Sequence, residues 1–138
     1  YISLIQELGL HNIVYNHGYV PHNQAIFRMQ EASILWLNNG HKKRKHTITL
    51  SKIYEYMATR RPIIALIPEG ETKKILKDYT RSYITSPYDL KEISRTISKA
   101  IGDVQEGNLK PLSEELLEAY TTKSITQRLA HELDALND

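Results

Sequence analysis

The apolar positions of this chain change their period as it runs. Ile2, Ile5 and Leu8 recur near the helical interval, and Gly9 is placed to stop that helix. Residues 12–19 contain Ile13, Val14, Tyr15 and Tyr19, a β-rich run expected to form a strand. From Pro21 to Glu31 the period returns to helical, with Ala25, Ile26, Met29 and Ala32 on one face. Pro21 suits a first turn, where its missing N–H is no loss. Residues 33–37 (SILWL) are continuously apolar, as expected of a strand buried on both faces. Residues 38–50 are polar, basic and aperiodic, which predicts a loop.

The alternation then repeats. Ser51 can cap a helix running to about Thr59, with Ile53, Tyr56 and Met57 as its apolar positions. Residues 62–67 (PIIALI) predict a second fully apolar strand, which Pro62 can only begin. A helix over 71–79, a short strand over 82–85 and a helix marked by Leu90, Ile93, Ile97 and Ile101 follow. Two more helices are expected over 113–120 and 124–136, the last striped by Ile125, Leu129, Leu133 and Leu136. Helices alternating with short apolar strands predict an α/β fold, a Rossmann-like parallel sheet with helices on both faces. No internal repeat or low-complexity tract interrupts the pattern.

Length and composition narrow the picture without naming a function. The 138 residues suit one core. Hydrophobic residues make up 41% and charged residues 25%, ordinary for a globular chain. A formal net charge of +2 does not by itself imply a polyanionic partner. With no cysteine, disulfides and thiolate metal sites are excluded. No apolar run is long enough to cross a bilayer, and no signal-peptide pattern opens the sequence. The chain opens on Tyr1, inside an amphipathic pattern, and is expected to be a fragment whose upstream part precedes it.

Candidate chemistry gathers where the helix at Ser51 begins. In open α/β sheets, ligands bind beyond the carboxyl ends of the strands. A helix start there offers free N–H groups and partial positive charge to a phosphate. Lys52 adds a point charge, and Glu55, one turn in, can present a carboxylate that accepts two hydrogen bonds from a ribose diol. Ser, Lys and Glu at a helix start are equally ordinary capping and dipole chemistry, so the spacing alone leaves both readings open.

The wording of three segments adds to this. HGYVPHNQAIFRMQEASILWL, SKIYEYMATRRPIIALIPEG and YITSPYDLKEISRTI, in that order, resemble the C-terminal donor-binding domain of GT-B glycosyltransferases of the retaining, family-4-like kind. The resemblance covers most of residues 12–101. It implies that residues 1–138 are the second half of a Rossmann-like nucleotide-sugar-binding domain, incomplete at its N-terminal end. It also implies that Val20, Pro21 and His22 contact the base, largely through backbone groups, that Ser51 and Lys52 lie at the diphosphate, and that Glu55 holds the ribose hydroxyls. Glu55 matches the second glutamate of the family's E-x7-E motif. The first glutamate's position, near the sugar in the family, is Thr47, so the motif is incomplete. Arg60-Arg61 stands where the family often has a small residue and glycine before Pro62. The family's diphosphate-neutralising Arg and Lys, and any catalytic residue, would lie before Tyr1.

The activity so implied is transfer of a sugar from a nucleotide diphosphate to an acceptor hydroxyl, with retained configuration, no protein-bound metal and no cofactor. The acceptor, a glycan or a lipid-linked acceptor, would be held by an upstream domain. The expected location is cytoplasmic or peripheral to a membrane, in polysaccharide biosynthesis. Two other readings compete. One is a nucleotide-sugar epimerase of the same fold. The other is a non-catalytic α/β module that binds a polyanion through the basic run His41-Lys42-Lys43-Arg44-Lys45-His46. That run is also the kind of charge run that is usually only solvated. It lacks interleaved aromatics, which argues against single-strand nucleic-acid stacking. His41 and His46 lack the i, i+4 spacing of a helical metal pair. Trp36 and Tyr56 are expected to pack in the core and between helices, and the stripe from Ile125 to Leu136 to pack on a neighbouring domain. In a sheet of order 3-2-1-4-5-6, residues 12–19 would be the third strand and the runs at Ser33, Pro62 and Ser82 the fourth to sixth. The third would then lack a direct partner and the fourth would expose an apolar edge, to be filled by upstream residues or by swapped or homo-oligomeric chains.

Overall fold

The computed structural model describes residues 2–39 and 50–136. The basic run 41–46, Thr47 and most of the expected loop over 38–50 lie outside the described residues. The elements are α1 (Ile2–Glu7), α2 (His22–Glu31), β1 (Leu35–Asn38), α3 (Lys52–Ala58), β2 (Ile63–Leu66), α4 (Glu71–Asp78), β3 (Ser82–Thr85), α5 (Leu90–Gln105), α6 (Glu114–Ala119) and α7 (Thr122–Ala135). The three strands form one parallel sheet in the order β1-β2-β3. The protein is therefore α/β and Rossmann-like, with an open sheet flanked by helices on both faces.

Period-two alternation sorts the strand side chains onto two faces. On one face Leu35, Leu37, Ile63, Ala65 and Ile67 pack with Ile53 and Met57 of α3, Leu76 of α4 and Tyr79 just beyond it. On the other, Ile64 and Leu66 pack with Ala100, Ile93 and Ile97 of α5. Two crossovers of one hand, in a sheet whose strands follow sequence order, leave their helices on one face, as α3 and α4 are here. The chain then continues back over the first face, where Leu116, Leu117 and Tyr120 join that core and the Tyr54 and Tyr120 rings lie 5.3 Å apart. The ends of the helices follow local chemistry. Asp89 accepts the N–H groups of Lys91 and Glu92, both at 3.0 Å, to start α5. Gly9, at φ +64, closes α1, with the Leu10 N–H reaching the Ile5 carbonyl and the Gly9 N–H the Gln6 carbonyl.

Three expectations need correction. Residues 12–19 form no strand; they hold a turn and then irregular chain, with no ladder partner. β-rich composition is not enough, because a strand exists only through a neighbouring edge. The run SILWL is not buried on both faces: β1 alternates buried and exposed, whereas β2 is buried throughout. Trp36 is accordingly not a core residue, being 47% exposed. It lies on the face covered by α5, whose packing reaches β2 and β3. Among the described residues, β1 is thus an outer strand with one bare face and one open edge.

Candidate functional site

Parallel pairing in the register Asn38–Leu66–Thr85 brings the three carboxyl ends to one edge of the sheet. The start of α3 is held at that edge. The Leu50 N–H donates to the Thr72 hydroxyl oxygen at 3.1 Å, and Thr72 sits in the first turn of α4, shortly after the carboxyl end of β2. Ser51 occupies the N-cap position, yet its side chain makes no capping hydrogen bond. The first turn is instead closed by the Ile53 N–H on the Leu50 carbonyl at 3.0 Å and the Tyr54 N–H on the Ser51 carbonyl at 3.2 Å.

Glu55 lies in that first turn and is half-buried. Ile53 and Met57, four apart, point α3 at the core and are 0% and 1% exposed. Glu55, between them in sequence, falls on the opposite side of the helix. Among the described residues neither Glu55 nor Lys52 has an ion-pair partner. Next to it, the Tyr56 phenol is pushed above its ordinary pKa by burial and then by the Glu55 charge. Its hydroxyl donates to the Trp36 carbonyl at 3.3 Å, which ties α3 to β1.

The sequence-derived site residues fall into two groups. Ser51, Lys52 and Glu55 come together on one turn, with Ser51 and Lys52 exposed. Val20, Pro21 and His22 form the entry to α2, where Pro21 is the N-cap residue with φ −54 and ψ 148. Val20 is half-buried and Pro21 and His22 are exposed. No hydrogen bond or ion pair among the described residues joins the two groups.

Two further features of this edge were not legible from spacing. Thr72 is buried at 6% exposure, and its role at the start of α3 comes from residues 22 apart in sequence. The Thr85 hydroxyl, at the carboxyl end of β3, is buried without a hydrogen-bond partner among the described residues. The one hint available was the run Pro68-Glu69-Gly70-Glu71-Thr72 directly after an apolar strand, a helix start at a carboxyl edge.

At the opposite edge the arginines have structural partners. Arg60 takes the left-handed conformation at φ +62 just past α3, where glycine is the easy choice. Its guanidinium makes two contacts of 2.6 Å with the Glu114 carboxylate. Arg61 donates to the Gln30 carbonyl at 2.8 Å, and Arg81 to the carbonyls of Lys110 and Arg60, each at 2.9 Å. The buried Tyr79 hydroxyl donates to the Arg61 carbonyl at 2.9 Å, and burial pushes its pKa to about 12. No three His, Asp or Glu side chains converge as metal ligands among the described residues. Among the same residues, no helix is long and apolar enough to cross a membrane.

The fold and this edge define a Rossmann-like α/β unit with a carboxylate-bearing helix start at the strand carboxyl ends. No family model, curated protein or solved structure matches the chain.

Proposed function

We propose that this chain is the second half of the nucleotide-sugar-binding domain of a GT-B, family-4-like retaining glycosyltransferase, and that Glu55 holds the donor's ribose. One observation carries most of the reading. The helix of the SKIYEYMA segment connects two parallel strands and carries Glu55 in its first turn, at the carboxyl edge, with no ion-pair partner among the described residues. The edge is where α/β sheets take ligands. An ionised carboxylate is an acceptor only, so two adjacent ribose hydroxyls are its natural donors. Lys52, three residues earlier, supplies charge for the diphosphate, and the helix start adds partial positive charge. Val20, Pro21 and His22 would meet the base through the backbone at the entry to α2. Positive charge at the departing diphosphate is electrostatic catalysis, and the acceptor and the acid–base groups belong to another domain.

Calorimetry of the chain with UDP, GDP and ADP, at low and at moderate salt, tests the proposal. The reading expects one base to be preferred and affinity to fall only modestly with salt. Equal, weak binding of all three that collapses steeply with salt would instead favour a polyanion-binding module.

A further inference from the structure

We propose that Thr72, on a different helix from the candidate site, is the positioning residue for Glu55; this rests on the reading of Glu55 as a ribose ligand. α3 is only seven residues long, two turns, so its placement is set by what holds its first turn. The usual device is absent, because the Ser51 side chain caps nothing. The Thr72 hydroxyl accepts the Leu50 N–H at 3.1 Å instead. Leu50 in turn offers its carbonyl to the Ile53 N–H at 3.0 Å, and its side chain packs against the main core. Leu50 is therefore fixed at its N–H, its carbonyl and its side chain, and Glu55 follows one turn and a half later. Among the described residues this is the one side-chain hydrogen bond that ties residues 50–52 to a neighbouring element. Thr72 is itself immobilised by burial at 6% exposure on α4, whose Leu76 is fully buried. A buried acceptor on a rigid helix thus sets where the carboxylate of the next helix stands relative to the sheet edge.

The test uses Thr72→Val, which keeps the shape and removes the acceptor, and Thr72→Ser, which keeps the acceptor. Two readings are taken: amide exchange at residues 50–55, and calorimetric affinity for whichever of UDP, GDP and ADP binds tightest. Thr72→Val should speed exchange at Leu50 and weaken the diphosphate roughly tenfold, the scale of one lost hydrogen bond. Thr72→Ser should restore both. In a Glu55→Ala background, Thr72→Val should change affinity no further, because it acts through Glu55. Unchanged exchange at Leu50 in Thr72→Val, or an affinity loss that persists in the Glu55→Ala background, would overturn the positioning role. Exchange that speeds at Leu50 in a chain whose wild type binds none of the three diphosphates would overturn the ribose reading of Glu55 and leave Thr72 as an anchor of α3 alone.

Discussion

The two apolar strands at the centre of the chain have nearly the same character and opposite fates. PIIALI becomes β2, with every strand residue buried, while SILWL becomes β1, with alternate residues exposed. The difference lies in neighbours. β2 has a strand on each side, α3 and α4 over one face and α5 over the other. β1 has one strand partner and one covered face, so Trp36 is left 47% exposed. The same contrast separates the middle of the chain from its N-terminal part. From Ile53 to Ala100 the chain supplies nearly all the buried apolar residues, whereas Ile13, Tyr15 and Tyr19 are 72%, 71% and 98% exposed. Apolar composition fixes what can be buried, and coverage decides what is.

The largest expected effect breaks this contrast at its strong side. Leu76→Ala, at a fully buried position, should destabilise by about 3 kcal/mol, while Trp36→Ala should cost only about 1 kcal/mol. Urea unfolding of both variants checks it. A Trp36→Ala penalty as large as that of Leu76→Ala would mean that the bare face of β1 is covered in solution.

Thr85→Val sharpens the comparison from inside the covered side. It removes a buried hydroxyl that has no partner among the described residues, so it should stabilise by roughly 1 kcal/mol. Thermal unfolding reads this. A clear loss of stability would show that the hydroxyl has a partner in solution.

Tyr79→Phe deletes the hydrogen bond to the Arg61 carbonyl and should cost on the order of 1 kcal/mol near neutral pH. Its pH signature is separate. The folded-state pKa is raised to about 12, above the ordinary value of 10.0, so the neutral phenol is favoured in the folded protein. That contribution is fully present below pH 10 and is lost as pH rises from about 10 towards 12. Tyr83, also raised to about 12 by burial and then by its hydrogen bond to Asp103, acts in the same direction. Denaturation followed across this range should show a shallower alkaline loss in Tyr79→Phe than in wild type. Identical alkaline limbs would contradict the assignment.

The smallest effect is expected at Arg60. Arg60→Gly relieves the left-handed backbone but gives up the exposed pair with Glu114, and these offset to within about 1 kcal/mol. A loss of several kcal/mol would mean that the Glu114 contact fastens α6 far more strongly than an exposed pair does.

Most of the fold was legible from periodicity, because it reports which face a residue must hide. The strand at Ser82, the helices α2 to α7 and the parallel α/β class all followed from apolar spacing, with Pro62 marking where a strand begins. What was not legible depended on partners. Residues 12–19 carry a strand-like composition but pair with no described strand, although the outer edge of β1 is open, and Trp36 lies on a strand face that no described element covers. The candidate site divides in the same way. Ser51, Lys52 and Glu55 could be grouped from sequence because one helical turn joins them. Thr72 could not, because its contact with Leu50 is made only when two successive crossover helices start side by side. Likewise, Ser51 looked like a side-chain cap and is not one, the first turn being closed by the backbone carbonyls of Leu50 and Ser51.

The central claim is that the Glu55 carboxylate grips a ribose. The direct measurement is calorimetric binding of the preferred nucleoside diphosphate and its 2′-deoxy form to wild type and to Glu55→Ala. The account predicts that Glu55→Ala weakens the ribose form by about 1.5–3 kcal/mol, the scale of hydrogen bonds to a charged group, and that the deoxy form loses distinctly less. Equal affinity of wild type and Glu55→Ala for the ribose form would remove Glu55 from the site and contradict the account.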